Sequence, residues 1–479
     1  MLISKLVQGL DINYDRDIKV RGIKTDTRKI EEGDLFVALS GHQTDGHDYL
    51  AEAARAGASA VLIAEEKTNH LPEEFSIPFL TTSNPETKLP PLLQKFYGNP
   101  SRELTLIGIT GTNGKTTTTH ILESILKAQG ESTGLIGTVA CRFNGEVDQS
   151  VETTTPSVAG NYRRLSEWAD RGGTAVVMEV SSHGLVQGRV EGLSFAAAGF
   201  TNLSRDHLDY HDSMEDYYRA KKILFEQSEI KVTCVDEQYG RRLAEEENAT
   251  RVGVEGDYKI IDKQSSLEGV ELELQTPGSE ILELESGLTG LFNYKNISLA
   301  AAIALELGVD EQAVKKGISN CARIPGRCER VSRRPGVIVD YAHTASAMEN
   351  VIESLKPLVE GRLICVFGAG GDRDQGKRPR MGAVAERLAD YSIVTSDNPR
   401  SEDPETIIDQ ILEGMKDGSH HVQIDRGQAI REALVEASDD DLVLIVGKGH
   451  ETEQVIGDRV IEFNDAGVAR EVLQTLGRD

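Results

Sequence analysis

The sequence predicts an α/β protein of three domains with mostly parallel sheets, on three observations. Apolar, β-branched runs alternate with helix-period segments. One such run feeds a glycine-rich loop that opens a helix. Two turn-prone stretches fall where domains of ordinary size would meet. The runs are Leu104 to Thr110, Thr174 to Val180, Phe195 to Phe200, Val337 to Tyr341, Leu363 to Gly368, Tyr391 to Thr395 and Leu442 to Gly447. The turns are Tyr97-Gly98-Asn99-Pro100-Ser101 and Ile324-Pro325-Gly326-Arg327, which set the expected domains at 1–99, 100–326 and 327–479. With 479 residues in all, each domain can bury its own core. Glu237 to Gly287 is highly charged and reads as strand-poor in places, a peripheral layer of the middle domain.

Lys and Arg number 52 against 78 Asp and Glu, and the net charge of -26 repels nucleic acid and anionic lipid unless basic residues cluster. Nucleic acid is therefore not an expected partner. Cys141, Cys234, Cys321, Cys328 and Cys365 match neither a zinc site nor a disulfide framework and fit a reducing compartment. Asp11, Asp15, Arg16 and Asp17 precede any apolar stretch of signal-peptide length, and nowhere do about 18 apolar residues run together. A cytoplasmic location without membrane insertion is expected.

The first motif is Gly111-Thr112-Asn113-Gly114-Lys115-Thr116-Thr117, between the run ending at Thr110 and a helix beginning near Thr116. Glycines let backbone amides close around phosphate, the helix N-terminus adds positive potential, Lys115 is a point charge, and the Thr116 hydroxyl suits a Mg2+ shell. The commonest spacing of such loops would place glycine at 109, where this chain has Ile109, so the loop is a shorter form. A nucleoside triphosphate is the expected ligand.

The next two runs bring further candidates. Glu179 stands near the carboxyl end of the run Thr174 to Val180, where ligands bind in open α/β sheets, and a carboxylate there is a natural metal ligand. After Phe200 the chain reads Thr201-Asn202-Leu203-Ser204-Arg205-Asp206-His207, and His207 is a candidate for a second Mg2+, although imidazole is not that ion's preferred ligand. Alone, each reads first as a structural loop residue; beside the phosphate loop the metal reading stands level with that one. The following helix sets Tyr217, Tyr218, Leu224 and Phe225 at three and four residues from Lys221, which puts Lys221 on the apolar face, whereas Lys222 neighbours Arg219 and Glu226 and looks solvated. A desolvated lysine is more readily neutral and able to take up CO2 as a carbamate, but spacing alone favours a lysine snorkelling along a helix.

In the last third, Phe367-Gly368-Ala369-Gly370-Gly371-Asp372-Arg373 fails the dinucleotide fingerprint, because Arg373 stands where its last glycine belongs. The loop Asp372 to Arg380 is instead dense in cations and suggests docking of anionic groups. With Asp397-Asn398-Pro399-Arg400 and Gly447-Lys448-Gly449-His450-Glu451 it makes three polar loops at strand ends, which read as one pocket or as a solvated rim.

Taken together, these motifs resemble the Mur ligases, and within them the MurE type, over nearly the whole chain. The resemblance adds Thr25-Asp26-Thr27-Arg28, Gly33 to Ala38, Gly41 to Gly46, Thr153-Thr154-Thr155-Pro156, Glu179 to His183, Gln187-Gly188-Arg189, Phe292 to Asn296, Pro325-Gly326-Arg327 and Asp340 to Thr344. It implies an N-terminal UDP-binding α/β domain, a central ATPase domain and a Rossmann-like C-terminal domain that closes over the site. It implies that Thr27, His42, Gln43 and Thr44 hold the uridine diphosphate, and that Thr153, Thr154, Thr155, Ser181, Gln187 and Arg189 lie along the sugar and peptide. Gly111 to Thr117 would bind ATP phosphates, Asn296 the adenine, and Arg327 and Asp340 the nucleotide. Thr116 and Glu179 would ligate one Mg2+, and His207 with carbamylated Lys221 another; here the resemblance displaces the snorkelling reading. Two departures, Thr27 for a frequent serine and Ala345-Ser346 for proline and aspartate, leave the implied chemistry intact.

The implied reaction activates the D-glutamyl carboxylate of a UDP-linked muramoyl dipeptide with ATP as an acyl phosphate, which an amine then opens. Meso-diaminopimelate carries a second amino-acid head, whose carboxylate needs cations, supplied by Arg373 and Arg400, and whose ammonium needs an anion, supplied by Glu451. Asp397, Asn398, Pro399 and Gly447 would complete that subsite. L-lysine lacks the distal carboxylate, so diaminopimelate is expected, with a lysine-adding enzyme or another carboxylate-amine ligase as the alternative. A monomer acting on small molecules is expected. No Asn-Lys-x-Asp sequence supports a GTPase.

Overall fold

The computed structural model describes residues 1–41, 44–71, 75–148, 153–208, 210–416, 418 and 420–478. The chain forms two compact units: Met1–Lys115 with Gly130–Val232 and Arg242–Ala249, and Thr116–Gln129 with Thr233–Arg241 and Thr250–Asp479.

The first unit holds two sheets. One has the order Asn13–Tyr14, Phe79–Thr82, Ala60–Ala64, Leu35–Val37, Ile23–Lys24, parallel except for its first pair. Its central strands are apolar on both faces, as a sheet covered on both sides requires. The helix Pro85–Tyr97 in this unit begins with proline in its first turn behind the Asn84 cap and ends at Gly98 in the left-handed region.

The other sheet positions the site. In it Thr105–Thr110 lies between Ala175–Glu179 and Phe195–Phe200, all parallel, with Glu179 opposite Ile109 and Phe200 opposite Thr110. Thr133–Ile136 follows in parallel beside Ala175–Glu179, and Cys141–Phe143 and Glu146–Val147 extend it antiparallel. Register alone therefore delivers Gly111, Val180 and Thr201 to one edge.

In the second unit Thr250–Gly253, Tyr258–Ser265, Val270–Gln275 and Ile281–Ser286 pair in succession. This corrects the strand-poor expectation for Glu237 to Gly287. Val270, Leu272 and Leu274 are buried and alternate with Glu271, Glu273 and Gln275, so the charge belongs to the outer face of a half-covered sheet. The helix Lys115–Gln129 meets Glu311–Asn320 at close quarters: Ser124 Oγ donates to the Gly317 carbonyl at 2.6 Å, and a Cβ at Gly317 would collide with the Ile125 backbone.

The same unit carries a sheet ordered Glu329–Arg333, Gly336–Asp340, Leu442–Val446, Leu363–Phe367, Tyr391–Val394, His420–Val422, parallel except for its first pair. Apolar clusters cover both faces. All five cysteines are free and buried. Among the described residues no helix is long and apolar enough to cross a membrane.

Candidate active site

In the first unit the loop after Thr110 is shaped by two glycines with positive φ, Gly111 at 144° and Gly114 at 84°. A Cβ at Gly111 would strike Thr201 Oγ1, so glycine is required there. The loop is stitched to the next strand end: Thr112 N–H donates to the Asn202 carbonyl at 2.9 Å, Asn113 N–H to Asn202 Oδ1 at 3.1 Å, and Thr201 Oγ1 to the Asn113 carbonyl at 2.6 Å. Lys115 Nζ donates to the Gly111 and Thr112 carbonyls, both at 2.8 Å.

Lys221 reaches this loop from the helix Met214–Glu226, whose Ser213 cap fixes its start. Its side chain is 1% exposed, its Nζ donates to the Gly111 carbonyl at 2.8 Å, and it lies 4.4 Å from the centre of the Tyr217 ring. Burial, then the Lys115 charge, holds its ammonium well below the ordinary 10.5, with Asp206 opposing. Lys222 points elsewhere, to Glu246 at 2.8 Å and Glu247 at 3.0 Å. The apolar-face placement of Lys221 is thus seen, and so is the contrast with its neighbour.

Glu179 is buried, its Oε1 accepting from Thr138 N–H at 2.8 Å and its Oε2 from Thr138 Oγ1 at 3.1 Å. Thr154 Oγ1 lies 2.9 Å from the same Thr138 hydroxyl, and Thr155 Oγ1 donates to the Glu179 carbonyl at 3.0 Å. Ser181 N–H donates to Thr155 Oγ1 at 3.0 Å, Arg189 Nη1 donates to the Thr155 carbonyl at 2.8 Å, and Thr153 Oγ1 donates to the same carbonyl at 3.2 Å. Gln187 Nε2 reaches Tyr210 OH at 3.3 Å. The threonine run, Ser181 and Arg189 therefore form one connected set around Glu179. His207 has φ 54° and packs edge-on against His183 at 5.0 Å, in a ring cluster with Tyr210, His211 and Tyr217.

Thr27 and Thr44 lie in the first unit, Thr27 at the start of the short 3-10 helix Thr27–Lys29. Thr27 Oγ1 donates to Glu52 at 2.6 Å, and the Thr44 carbonyl accepts from Gly41 N–H at 3.0 Å. His42 and Gln43 lie outside the described residues.

In the second unit Arg327 Nη2 reaches Thr116 Oγ1 at 3.4 Å while its guanidinium lies 4.5 Å from the centre of the Tyr341 ring. Asn296 is buried, bonded to Asn293 at 2.9 Å and to Thr118 at 3.4 Å. Asp340 is spoken for by the backbone, its Oδ2 accepting from Cys328 N–H at 2.7 Å and its Oδ1 from Ala342 N–H at 2.8 Å. Burial raises its carboxyl, and Arg327 and those two N–H groups oppose the shift.

The cationic loop needs a correction. Arg378 is fully buried and its two Nη atoms donate to both oxygens of Glu402 at 2.8 Å and to Gln410 at 2.7 Å, while Lys377 donates to the His343 carbonyl at 3.0 Å. Arg373 and Arg380 stay exposed. Arg400, at φ 51°, donates to the Gly371 carbonyl at 2.7 Å. Asp397, Asn398 and Pro399 are buried, and Gly447 at φ 117° brings the other loop against Asp397. Asn398 Nδ2 donates to Glu451 Oε2 at 2.7 Å. Sequence reasoning gave no role to Thr138, Asn202 or Lys448; the last was visible within Gly447 to Glu451, but its bonds to Asn398, Glu451 and the Glu453 carbonyl were not.

Three family models match in order: "Mur ligase family, catalytic domain" over residues 19–92, "Mur ligase middle domain" over 109–304 and "Mur ligase, glutamate ligase domain" over 326–449. A curated relative from Gloeobacter violaceus, named UDP-N-acetylmuramoyl-L-alanyl-D-glutamate–2,6-diaminopimelate ligase, is 42% identical over 97% of this chain and 96% of its own. One of the same name from Aquifex aeolicus is 42% identical over 95% and 94%. A solved structure of that ligase matches with TM-score 0.68 at 31% identity, covering 96% of both chains. The fold likeness extends to MurF ligase from Thermotoga maritima in complex with ADP, TM-score 0.66 at 20% identity over 96% of this chain and 97% of that one. On these matches, end to end and in the same domain order, the chain belongs to the Mur ligase family, with its three-domain α/β fold.

Proposed function

We propose that this chain joins meso-2,6-diaminopimelate to the D-glutamyl carboxylate of UDP-N-acetylmuramoyl-L-alanyl-D-glutamate at the expense of ATP, releasing ADP and phosphate, in cytoplasmic peptidoglycan precursor synthesis. The observation that carries it is 42% identity over 97% of the chain to a relative named for that activity. The domain boundaries 1–99, 100–326 and 327–479 belong to the same reading, as does action as a monomer.

The chain's own groups support each step. The loop amides from Gly111 to Thr117 and Lys115 bind triphosphate, and the substrate carboxylate attacks the γ-phosphorus, its new P–O bond replacing the one to ADP. The amine nitrogen then attacks the acyl carbon, phosphate leaves with the C–O bond electrons, and the amine's proton passes to solvent. The set of Thr153, Thr154, Thr155, Ser181, Gln187 and Arg189 holds the muramoyl peptide, and Thr27, His42, Gln43 and Thr44 its UDP end. Asn296, Arg327 and Asp340 serve the nucleotide, Asp340 by holding the Cys328 and Ala342 N–H groups that follow Arg327 and Tyr341.

Thr116 and Glu179 offer the hard oxygen donors that Mg2+ prefers, so this donor set fits the ion. Lys221 fits a carbamate. Its amine is pushed toward the neutral form; the Nζ lone pair adds to the CO2 carbon, a proton leaves to solvent, and the remaining N–H can keep its bond to Gly111. With His207 it would hold a second Mg2+. When bound, the ions neutralise charge gathering between carboxylate and triphosphate.

Arg373 and Arg400 serve the distal carboxylate of diaminopimelate, and Asp397, Asn398, Pro399, Gly447 and Glu451 its amino-acid head. The test is phosphate release from ATP and Mg2+ with the UDP-linked dipeptide and either meso-diaminopimelate, L-lysine or no amine, with product mass measured. A tripeptide product only with diaminopimelate is expected; equal turnover with lysine would overturn the choice of amine, and none with either would overturn the reaction.

A further inference from the structure

The two loops assigned to the amine share a buried cation that the assignment omits. Lys448 is fully buried, and its Nζ donates to Asn398 Oδ1 at 3.1 Å, Glu451 Oε2 at 3.0 Å and the Glu453 carbonyl at 2.6 Å. Asn398 Nδ2 donates to the same Glu451 oxygen at 2.7 Å, which closes a triangle of three side chains. All three ammonium protons are spent inside the protein. Glu451 Oε2 thus takes two hydrogen bonds, and Oε1 takes none from the described residues, on a side chain that is 32% exposed.

The hairpin Glu453–Ile456 with Arg459–Glu462 locks this arrangement from the other side. Val455 N–H donates to Asn398 Oδ1 at 3.0 Å, Gln454 Nε2 to the Asp397 carbonyl at 2.7 Å, and Arg400 N–H to the Val455 carbonyl at 3.0 Å. Asp397 Oδ1 is buried without a hydrogen bond, 3.9 Å from Lys448 Nζ. Arg426 is fully buried and gives two bonds of 2.7 Å to Asp465. Lys448 is thus set against Glu451 and Asp397, and Arg426 against Asp465. Charge is costly in such a place unless paired, so the geometry of these pairs is tightly held.

We infer that Lys448 is a positioning residue of the amine subsite: it turns Asn398 and Glu451 so that Glu451 offers Oε1 to the ammonium of the incoming amine, without itself touching substrate. The inference rests on the ligase reading above and deepens it.

The test is steady-state kinetics of full-length Lys448→Met with each substrate varied in turn. The Michaelis constant for meso-diaminopimelate rises about tenfold or more, kcat stays within about threefold, and the constants for ATP and the UDP-linked dipeptide hold. An unchanged amine constant, or all three rising together as in a general loosening, overturns the inference. Should that variant not accumulate, Lys448→Gln, which keeps a donor and loses the charge, shows a smaller rise, and an unchanged constant again overturns it. In a Glu451→Gln background, Lys448→Met adds less than about twofold, because the lysine acts through Glu451; a full additive effect is the contrary result. A wild type that turns over without amine rejects the ligase reading itself, whereas an active wild type beside an unaffected variant rejects this inference alone.

Discussion

Lys221 and Gly111, 110 residues apart, are joined by one buried hydrogen bond of 2.8 Å, to a carbonyl that Lys115 also contacts at 2.8 Å. Two lysine nitrogens on one backbone oxygen tie the loop to the helix Met214–Glu226. Lys221→Met is expected to lower phosphate release about a hundredfold, the scale of removing one aimed electrostatic group. Lys222→Met, which loses only its pairs to Glu246 and Glu247, should cost under about 1 kcal/mol of stability and no activity.

As the free amine, with CO2 excluded from the buffer, the same lysine sets a pH dependence of stability. Its folded value is depressed by burial while the unfolded chain keeps the ordinary 10.5, so between the two the unfolded chain binds more protons and stability rises with pH. Wild type therefore gains on Lys221→Met as pH is raised toward 10.5 and loses that gain as pH falls through the folded value. Urea unfolding of both proteins across that range checks this; a difference independent of pH would contradict it.

Gly111→Ala places a methyl group on Thr201 Oγ1 at a φ of 144°. A cost of about 1–3 kcal/mol follows from overpacking, together with loss of ATP turnover. Denaturant midpoints and nucleotide titration measure the two effects separately.

Arg400→Ala removes a guanidinium held at 2.7 Å from the Gly371 carbonyl. Specificity for diaminopimelate, as kcat/KM, should drop about a hundredfold while that for L-lysine changes little, since only the former has a distal carboxylate to lose. Competition between the two amines, read by product mass, decides it.

Asp465→Asn leaves the fully buried Arg426 without its anion. The expected loss is about 3–5 kcal/mol, visible as a shift in thermal unfolding.

Much of this arrangement was legible because it is periodic or local. Tyr217, Tyr218, Leu224 and Phe225 mark the face on which Lys221 lies, and the phosphate loop announces itself between strand and helix. The strands from Tyr258 to Ser286 were obscured because glutamates on an outer face raise charge density without breaking the two-residue alternation of Val270, Leu272 and Leu274. Lys448 and Arg378 were out of reach for another reason. Glu451 shares a loop with Lys448, but Asn398 comes from another and the Glu453 carbonyl from the hairpin, while Arg378 draws Gly370, Glu402 and Gln410 from elsewhere in the chain, and no spacing rule tells a buried arginine from one facing a ligand.

The close approach of Gly317 to Ile125 has its own consequence. The helix that begins at Lys115 rests backbone to backbone on this glycine, so any side chain there displaces the helix along which Thr116 and Thr117 stand. A saturation scan scored by growth would give position 317 the intolerance of an active-site glycine, although it is assigned to no part of the proposed site. In this protein a map of intolerance would be larger than a map of chemistry.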